Sequence, residues 1–182
     1  MSSLDRLNSL LRDSAKGDVS AFEEFVKLTK DQLYAYVLGL VPSIHAEDVV
    51  QDTYMRLWKA KPSYDFHRSA KTFLFTLAYR SSIDLLRSTS RETKKVDALK
   101  TAVKENVHPI SSEEPGIDLS RLSNEQRDVI LLVVVAGFSY METAEIVGVS
   151  SQTVKSRLHE ARKRLSEQLK EKSIRTKRGK LA

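Results

Sequence analysis

Apolar residues recur every three to four positions along almost the whole chain, and only 6 glycines and 4 prolines interrupt them in 182 residues. No stretch of four to eight residues alternates apolar and polar side chains as a half-buried strand does, so the pattern predicts an all-α fold. Leu4, Leu7, Leu10 and Leu11 mark a short first helix. Ala21, Phe22, Phe25, Val26 and Leu28, then Leu33, Tyr34, Val37 and Leu38, carry the period to about residue 41, where Pro42 and Ser43 break it. A helix over about 45–60 stops at Lys61-Pro62-Ser63, and after a loop to about residue 69 another covers about 70–89.

Residues 92–117 change in character. They hold Lys94, Lys95, Glu105, Glu113, Glu114, Pro109, Pro115 and Gly116, with few large apolar groups. Such a composition buries too little surface to offset its ordering entropy. The reading is therefore two small helical domains, 1–91 and 118–169, joined by a flexible linker over 92–117. A basic tail over 170–182 is expected to be disordered.

Composition narrows the chemistry. The absence of cysteine excludes disulfides, thiol nucleophiles and thiolate metal sites. The longest apolar run, Val129–Ala136, is 8 residues, against roughly 18 for a bilayer span, which argues for a cytoplasmic chain without membrane insertion. His45, His67, His108 and His159 lie 22, 41 and 51 residues apart, without paired metal-ligand spacing. There is no glycine-rich phosphate loop and no nucleophile elbow, so neither an enzyme nor a cofactor or metal is expected. The net charge of +6 is uneven: residues 151–182 hold 11 basic against 3 acidic side chains. That excess attracts polyanions, nucleic acid first.

The second module carries the sharpest local signal. Ser123 with Gln126, and Ser139 with Glu142, have capping-box spacing. Gly137 ends the first helix and Gly148 the second, with a third from Ser150 or Ser151 to about Leu169. Ala144 is small where two helices cross, Gly148 supplies the turn, and Val147, Val149 and Val154 are apolar where the pair buries its shared face. This is the spacing of a DNA-binding helix-turn-helix. Its second helix presents Ser151, Gln152, Lys155, Ser156, Arg157, His159 and Arg162, whose hydroxyl, amide and guanidinium groups address base edges and phosphates. The bland alternative is a helical hairpin packed in a core or on a protein partner.

In the helix over 45–60, Val49, Val50, Thr53, Tyr54, Leu57 and Trp58 form the expected buried stripe. Asp48, Gln51, Asp52, Met55 and Lys59 lie opposite, either as a solvated face or as a docking strip for a basic helix. Beyond it, Tyr64, Phe66, Phe73 and Phe75 interleave with Lys61, His67, Arg68 and Lys71, followed by Tyr79, Arg80, Arg87 and Arg91. Aromatics among cations suit unpaired bases and their backbone. Phe73, Leu74 and Leu77 have core spacing, whereas Tyr64, Phe66 and His67 sit in a proline-bounded loop where burial is less expected.

Together these residues resemble bacterial sigma factors of the extracytoplasmic-function (ECF) type, within the sigma-70 family. The stretch from Ala46 to Trp58 looks like the region 2 helix that grips the polymerase clamp. Residues 122–165, with Glu125-Gln126-Arg127, Gly137-Phe138-Ser139-Tyr140 and Thr153-Val154-Lys155-Ser156-Arg157-Leu158, look like region 4. The resemblance implies an alternative sigma factor that binds core RNA polymerase and directs it to promoter DNA, helping to open it. It implies docking through Asp48, Gln51, Asp52 and Met55. It implies contact with the −10 element through Tyr64, Phe66, His67, Arg68, Lys71, Arg80 and Arg87, with a flipped base held at the 62–69 loop. Region 4 would read the −35 element through Ser151, Gln152, Thr153, Lys155, Ser156, Arg157, His159 and Arg162, and touch the polymerase flap. An anti-sigma partner is implied as well. Gly137-Phe138-Ser139-Tyr140 to Ile146 also resembles the alphaproteobacterial general-stress subgroup, which implies a role in the stress response. Arg80 stands where the family often carries asparagine. A fixed charge there replaces an amide acceptor, so the family's −10 preference does not carry over at that position.

The rival reading is a stand-alone helix-turn-helix regulator with residues 1–91 as a sensing or dimerising domain. A dimeric regulator protects two like half-sites about 34–36 Å apart; a sigma factor protects two unlike elements, and only together with polymerase.

Overall fold

A computed structural model of the chain describes residues 3–97 and 119–179, with side chains over 4–91 and 119–170. The described residues are helical, with no strand among them. Four helices make the first module: α1 (Ser3–Ala15), α2 (Val19–Leu38), α3 (Ser43–Ala60) and α4 (Ala70–Asp97). The second holds α5 (Asn124–Ile130), α6 (Tyr140–Val147) and α7 (Ser151–Gly179).

Local chemistry sets the boundaries. Asp18 caps α2 by accepting the Ala21 N–H at 3.0 Å. Pro42 precedes α3, where a missing N–H costs nothing because the first helical donors have no intrahelical acceptor. Both expected capping boxes form, at Ser123–Gln126 and at Ser139–Glu142. Gly148 closes α6 at φ 73°, the left-handed conformation that glycine adopts without a Cβ clash. From Leu131 to Val135 the backbone widens into a π-turn, with the Ala136 N–H donating to the Leu131 carbonyl at 2.9 Å. Five apolar residues in succession cannot share one face: Leu131 and Leu132 bury, while Val134 and Val135 face outwards.

α1 packs on α2, α2 on α3 and α3 on α4, around Leu11, Phe25, Leu33, Tyr36, Val37, Leu57, Leu74 and Phe75. Burying each large apolar side chain contributes about 1.5–3 kcal/mol. The second module closes over Val129, Leu132, Val154, Leu158 and Ala161. The two cores are one: α4 packs on α6, and α2 on the π-turn, so apolar contact runs on from module to module. Gly39 shows how close the approach is, since a Cβ there would stand 2.7 Å from the Leu131 methyl groups. Nothing in the periodicity of either module pointed to this seam.

Two boundaries differ from the sequence reading. α4 runs to Asp97, into the stretch read as linker, and the rest of that stretch to residue 117 lies outside the described residues. α7 runs to Gly179, ten residues past Leu169 and into the stretch read as a disordered tail, a length of 29 residues, or about 43 Å at 1.5 Å per residue. Among the described residues no helix is long and apolar enough to cross a membrane.

Candidate nucleic-acid and protein interfaces

On α3 the inner face is Val49, Thr53 and Leu57, all buried. Opposite, Asp48, Gln51 and Met55 are exposed, Met55 by 58 %. Asp52 is half-exposed and already engaged: it accepts the Ser81 hydroxyl from α4 at 2.9 Å and pairs with Arg56 at 2.7 Å. A large thioether open to water beside two carboxylates is a surface that gains by being covered. Trp58 departs from the expected buried stripe. It is 39 % exposed, edge-on to Phe22 at 4.8 Å, with the Lys61 ammonium 2.9 Å above its ring. The cation and the neighbouring Phe22 hold the indole at the rim of the module rather than inside it.

The 62–69 loop corrects another expectation. Tyr64 is buried, stacked on Phe73 at 4.6 Å and edge-on to Phe66 at 5.3 Å, and its hydroxyl donates to the Arg68 carbonyl at 2.6 Å. Burial pushes that hydroxyl up to about 12. The ring therefore braces the loop from within. Phe66 is half-buried and His67 exposed, its backbone N–H donating to the Asp65 carboxylate at 3.0 Å. Arg80 and Arg87 on α4 are exposed. Arg68 and Lys71 are occupied by the second module: Arg68 pairs with Glu145 of α6, and Lys71 donates to the Ala136 carbonyl at 2.7 Å with the Phe138 ring 4.6 Å away. Desolvation holds the Lys71 ammonium below its ordinary pKa.

In the helix-turn-helix, the Ser150 hydroxyl accepts the Thr153 N–H at 3.1 Å and starts α7. Val154, Leu158, Ala161 and Leu165 point inwards. Ser151, Gln152, Lys155, Ser156, His159 and Arg162 are exposed as expected, while Thr153 and Arg157 are half-buried. Thr153 shares a hydroxyl hydrogen bond with Ser150 at 2.8 Å. Arg157 feels Asp128, Glu125 and Tyr79, so it leans towards the seam instead of pointing straight out.

The seam holds the residues that sequence reasoning missed. Tyr79 of α4 donates to the Asp128 carboxylate of α5 at 3.2 Å. Gln32 of α2 donates to the Ala136 carbonyl at 3.2 Å, and Phe75 meets Phe138 edge-on at 4.9 Å. Gln126, Arg127 and Asp128 are all buried, although three polar residues in a row read as solvent-facing. Burial raises Asp128 to about 7 against the lowering effect of Tyr79, with Glu125 adding to the rise.

Residues 25–92 match the sigma-70 region 2 family, and residues 119–165 match sigma-70 region 4. The chain is 27 % identical over 179 residues to the ECF RNA polymerase sigma factor SigW of Bacillus subtilis (strain 168), covering 88 % of this chain and 95 % of that one. It is 30 % identical over 165 residues to the ECF RNA polymerase sigma factor SigK of Mycobacterium sp. (strain JLS), covering 85 % and 86 %. Among solved structures it is similar to the sigma factor RpoE in complex with the anti-sigma factor NepR from Bartonella quintana, with 32 % identity, a TM-score of 0.72 and coverage of 84 % and 98 %. It is also similar to CnrH in complex with the cytosolic domain of CnrY, with 26 % identity, a TM-score of 0.70 and coverage of 91 % and 97 %.

Proposed function

The chain belongs to the ECF RNA polymerase sigma factors of the sigma-70 family, and on that premise we propose how its two modules divide the work of promoter selection. It is an alternative sigma factor, a transcription initiation factor whose partners are core RNA polymerase, promoter DNA and an anti-sigma protein. Residues 1–91 dock on polymerase through Asp48, Gln51, Asp52 and Met55 and meet the −10 element. Residues 118–169 read the −35 element, 92–117 join the two, and 170–182 add positive charge. Bond making and breaking belong to the polymerase.

The observation that carries this reading is the pairing, in one chain, of an acidic strip around an exposed methionine with a capped helix-turn-helix whose polar face is open. A stand-alone regulator needs only the second. At the −10 element, His67, Arg80 and Arg87 contact DNA directly, with Phe66 at the loop's outer edge and Tyr64 bracing it from behind. Arg68 and Lys71 join them only after leaving Glu145 and the Ala136 carbonyl. DNA engagement thus requires the modules to part.

The test is run-off transcription from genomic fragments with bacterial core polymerase, with and without this protein. Discrete new start sites that share paired −35 and −10 sequences are the expected result. Binding to duplex DNA unaided, with no new start sites, would overturn the reading in favour of the regulator. Within it, Arg157→Ala is expected to weaken −35 binding by about 1–3 kcal/mol. Competition between cognate and mutated −35 sequences decides the contact: a loss confined to cognate DNA marks a base, and an equal loss on all sequences marks a phosphate.

A further inference from the structure

We propose that Asp128 and Tyr79 form a proton-gated latch across the seam: a protonated Asp128 keeps the modules closed, and an ionised one releases them, freeing Arg68 from Glu145 and Lys71 from the Ala136 carbonyl. What the freed side chains then do rests on the reading above, whereas the opening itself needs neither polymerase nor promoter.

The geometry carries the inference. Asp128 is 7 % exposed and lies where α5 meets α4, its carboxylate 3.2 Å from the Tyr79 hydroxyl. The groups that act on it are Tyr79 from α4, Glu125 and Arg127 from its own helix, and Arg157 from α7. From α2 comes Tyr36, fully buried, whose hydroxyl has no hydrogen-bond partner among the described residues. The Arg127 guanidinium also donates to the Leu119 carbonyl at 3.3 and 3.4 Å, so this cation is shared with the second module's own backbone. One neutral donor and two shared guanidinium groups therefore face a carboxylate with little water around it. A buried charge so weakly compensated destabilises the state that buries it.

The sign follows from linkage. In the closed form Asp128 holds its proton up to about 7; parted and wetted, it returns towards the ordinary aspartate value of about 3.9. The closed form binds the proton more tightly, so acid favours closure. The closed-to-open ratio falls about tenfold per pH unit between those two values and levels off above the higher one. From pH 5 to pH 8 the expected change is about 100-fold. Tyr79, raised to about 12 by burial and then by Asp128, keeps its proton throughout that range. Lys71 is shifted downwards from 10.5, so its own effect on closure belongs to the alkaline side.

The chain lacks cysteine, so Glu23→Cys on α2 and Lys163→Cys on α7, both exposed, accept a donor–acceptor dye pair at defined places. Energy transfer in the full chain, followed from pH 5 to pH 8, is expected to fall as the open population grows, while Asp128→Asn stays closed and flat. An unchanging closed fraction in the parent chain, or the same pH response in Asp128→Asn, would overturn the latch. Should Asp128→Asn fail to fold, carbon-detected NMR titration of the Asp128 carboxyl in the parent chain decides the matter. A midpoint near 7 supports the latch and one near 4 sinks it. Failure of the transcription test would leave these outcomes untouched, and the reverse holds too.

Discussion

Leu158→Ala is expected to destabilise the second module by about 2–5 kcal/mol, the range for truncating a leucine in a close-packed core. Leu158 is 1 % exposed and points inwards with Val154, Ala161 and Leu165, at the place where α5 and α6 rest on α7. Those two helices are 7 and 8 residues long, and helices shorter than about 12–15 residues do not persist alone in water. Their order depends on the apolar face they share with α7, so the loss falls on the module as a unit. In a unit of this size each kcal/mol is worth about 4–8 °C in Tm, and thermal unfolding followed by circular dichroism will register the change easily. Ser156→Ala, two positions away on the exposed face, is the control and is expected to lie within about 0.5 kcal/mol of the parent. DNA binding should fall in Leu158→Ala in step with the unfolded fraction and recover on cooling, as it would not if Leu158 touched DNA. A Tm equal to that of the parent would refute the packing.

That contrast also shows what was legible in the sequence. The helix-turn-helix was readable because its parts are local: two capping boxes, a left-handed glycine at Gly148 and apolar residues at fixed offsets all act within a few residues of one another. The acidic strip on α3 was readable for the same reason, since helical periodicity alone places Asp48, Gln51 and Met55 on one face. The seam was not. Tyr79 and Asp128 are 49 positions apart, and the contact of Lys71 with the Ala136 carbonyl spans 65; no periodicity links such partners. Nor does periodicity foretell that Gln126, Arg127 and Asp128 are all buried, because α7, distant in sequence, packs over α5 and Tyr79 of α4 reaches Asp128. Tyr64 misled for a related reason. A loop residue after a proline reads as exposed, yet Phe66, Phe73 and the Arg68 carbonyl give this ring and hydroxyl a buried place. Trp58 erred in the opposite sense, held at the surface by Lys61.

The docking strip yields the other large effect. Reversing both charges, Asp48→Lys with Asp52→Lys, is expected to weaken binding to core polymerase by at least about 100-fold, because like charges brought together at an interface cost several kcal/mol. The two positions are not equivalent in the free chain. Asp48 is exposed, and its reversal should leave stability within about 0.5 kcal/mol of the parent. Asp52 accepts the buried Ser81 hydroxyl and pairs with Arg56. A lysine there removes the acceptor, at a cost of about 1–3 kcal/mol for a buried hydroxyl left unpaired, and adds a like charge beside Arg56. Asp48→Lys with Asp52→Asn separates the effects, since the amide oxygen can still accept from Ser81 while the charge is gone. This variant should keep the parent's thermal stability and still lose polymerase, in competition for core enzyme against labelled parent. Mass action supplies the last distinction. A docking defect is overcome by raising the sigma concentration in run-off transcription, with start sites unchanged; a defect in promoter reading survives any excess. Parental affinity in both variants would return the strip to an ordinary solvated face.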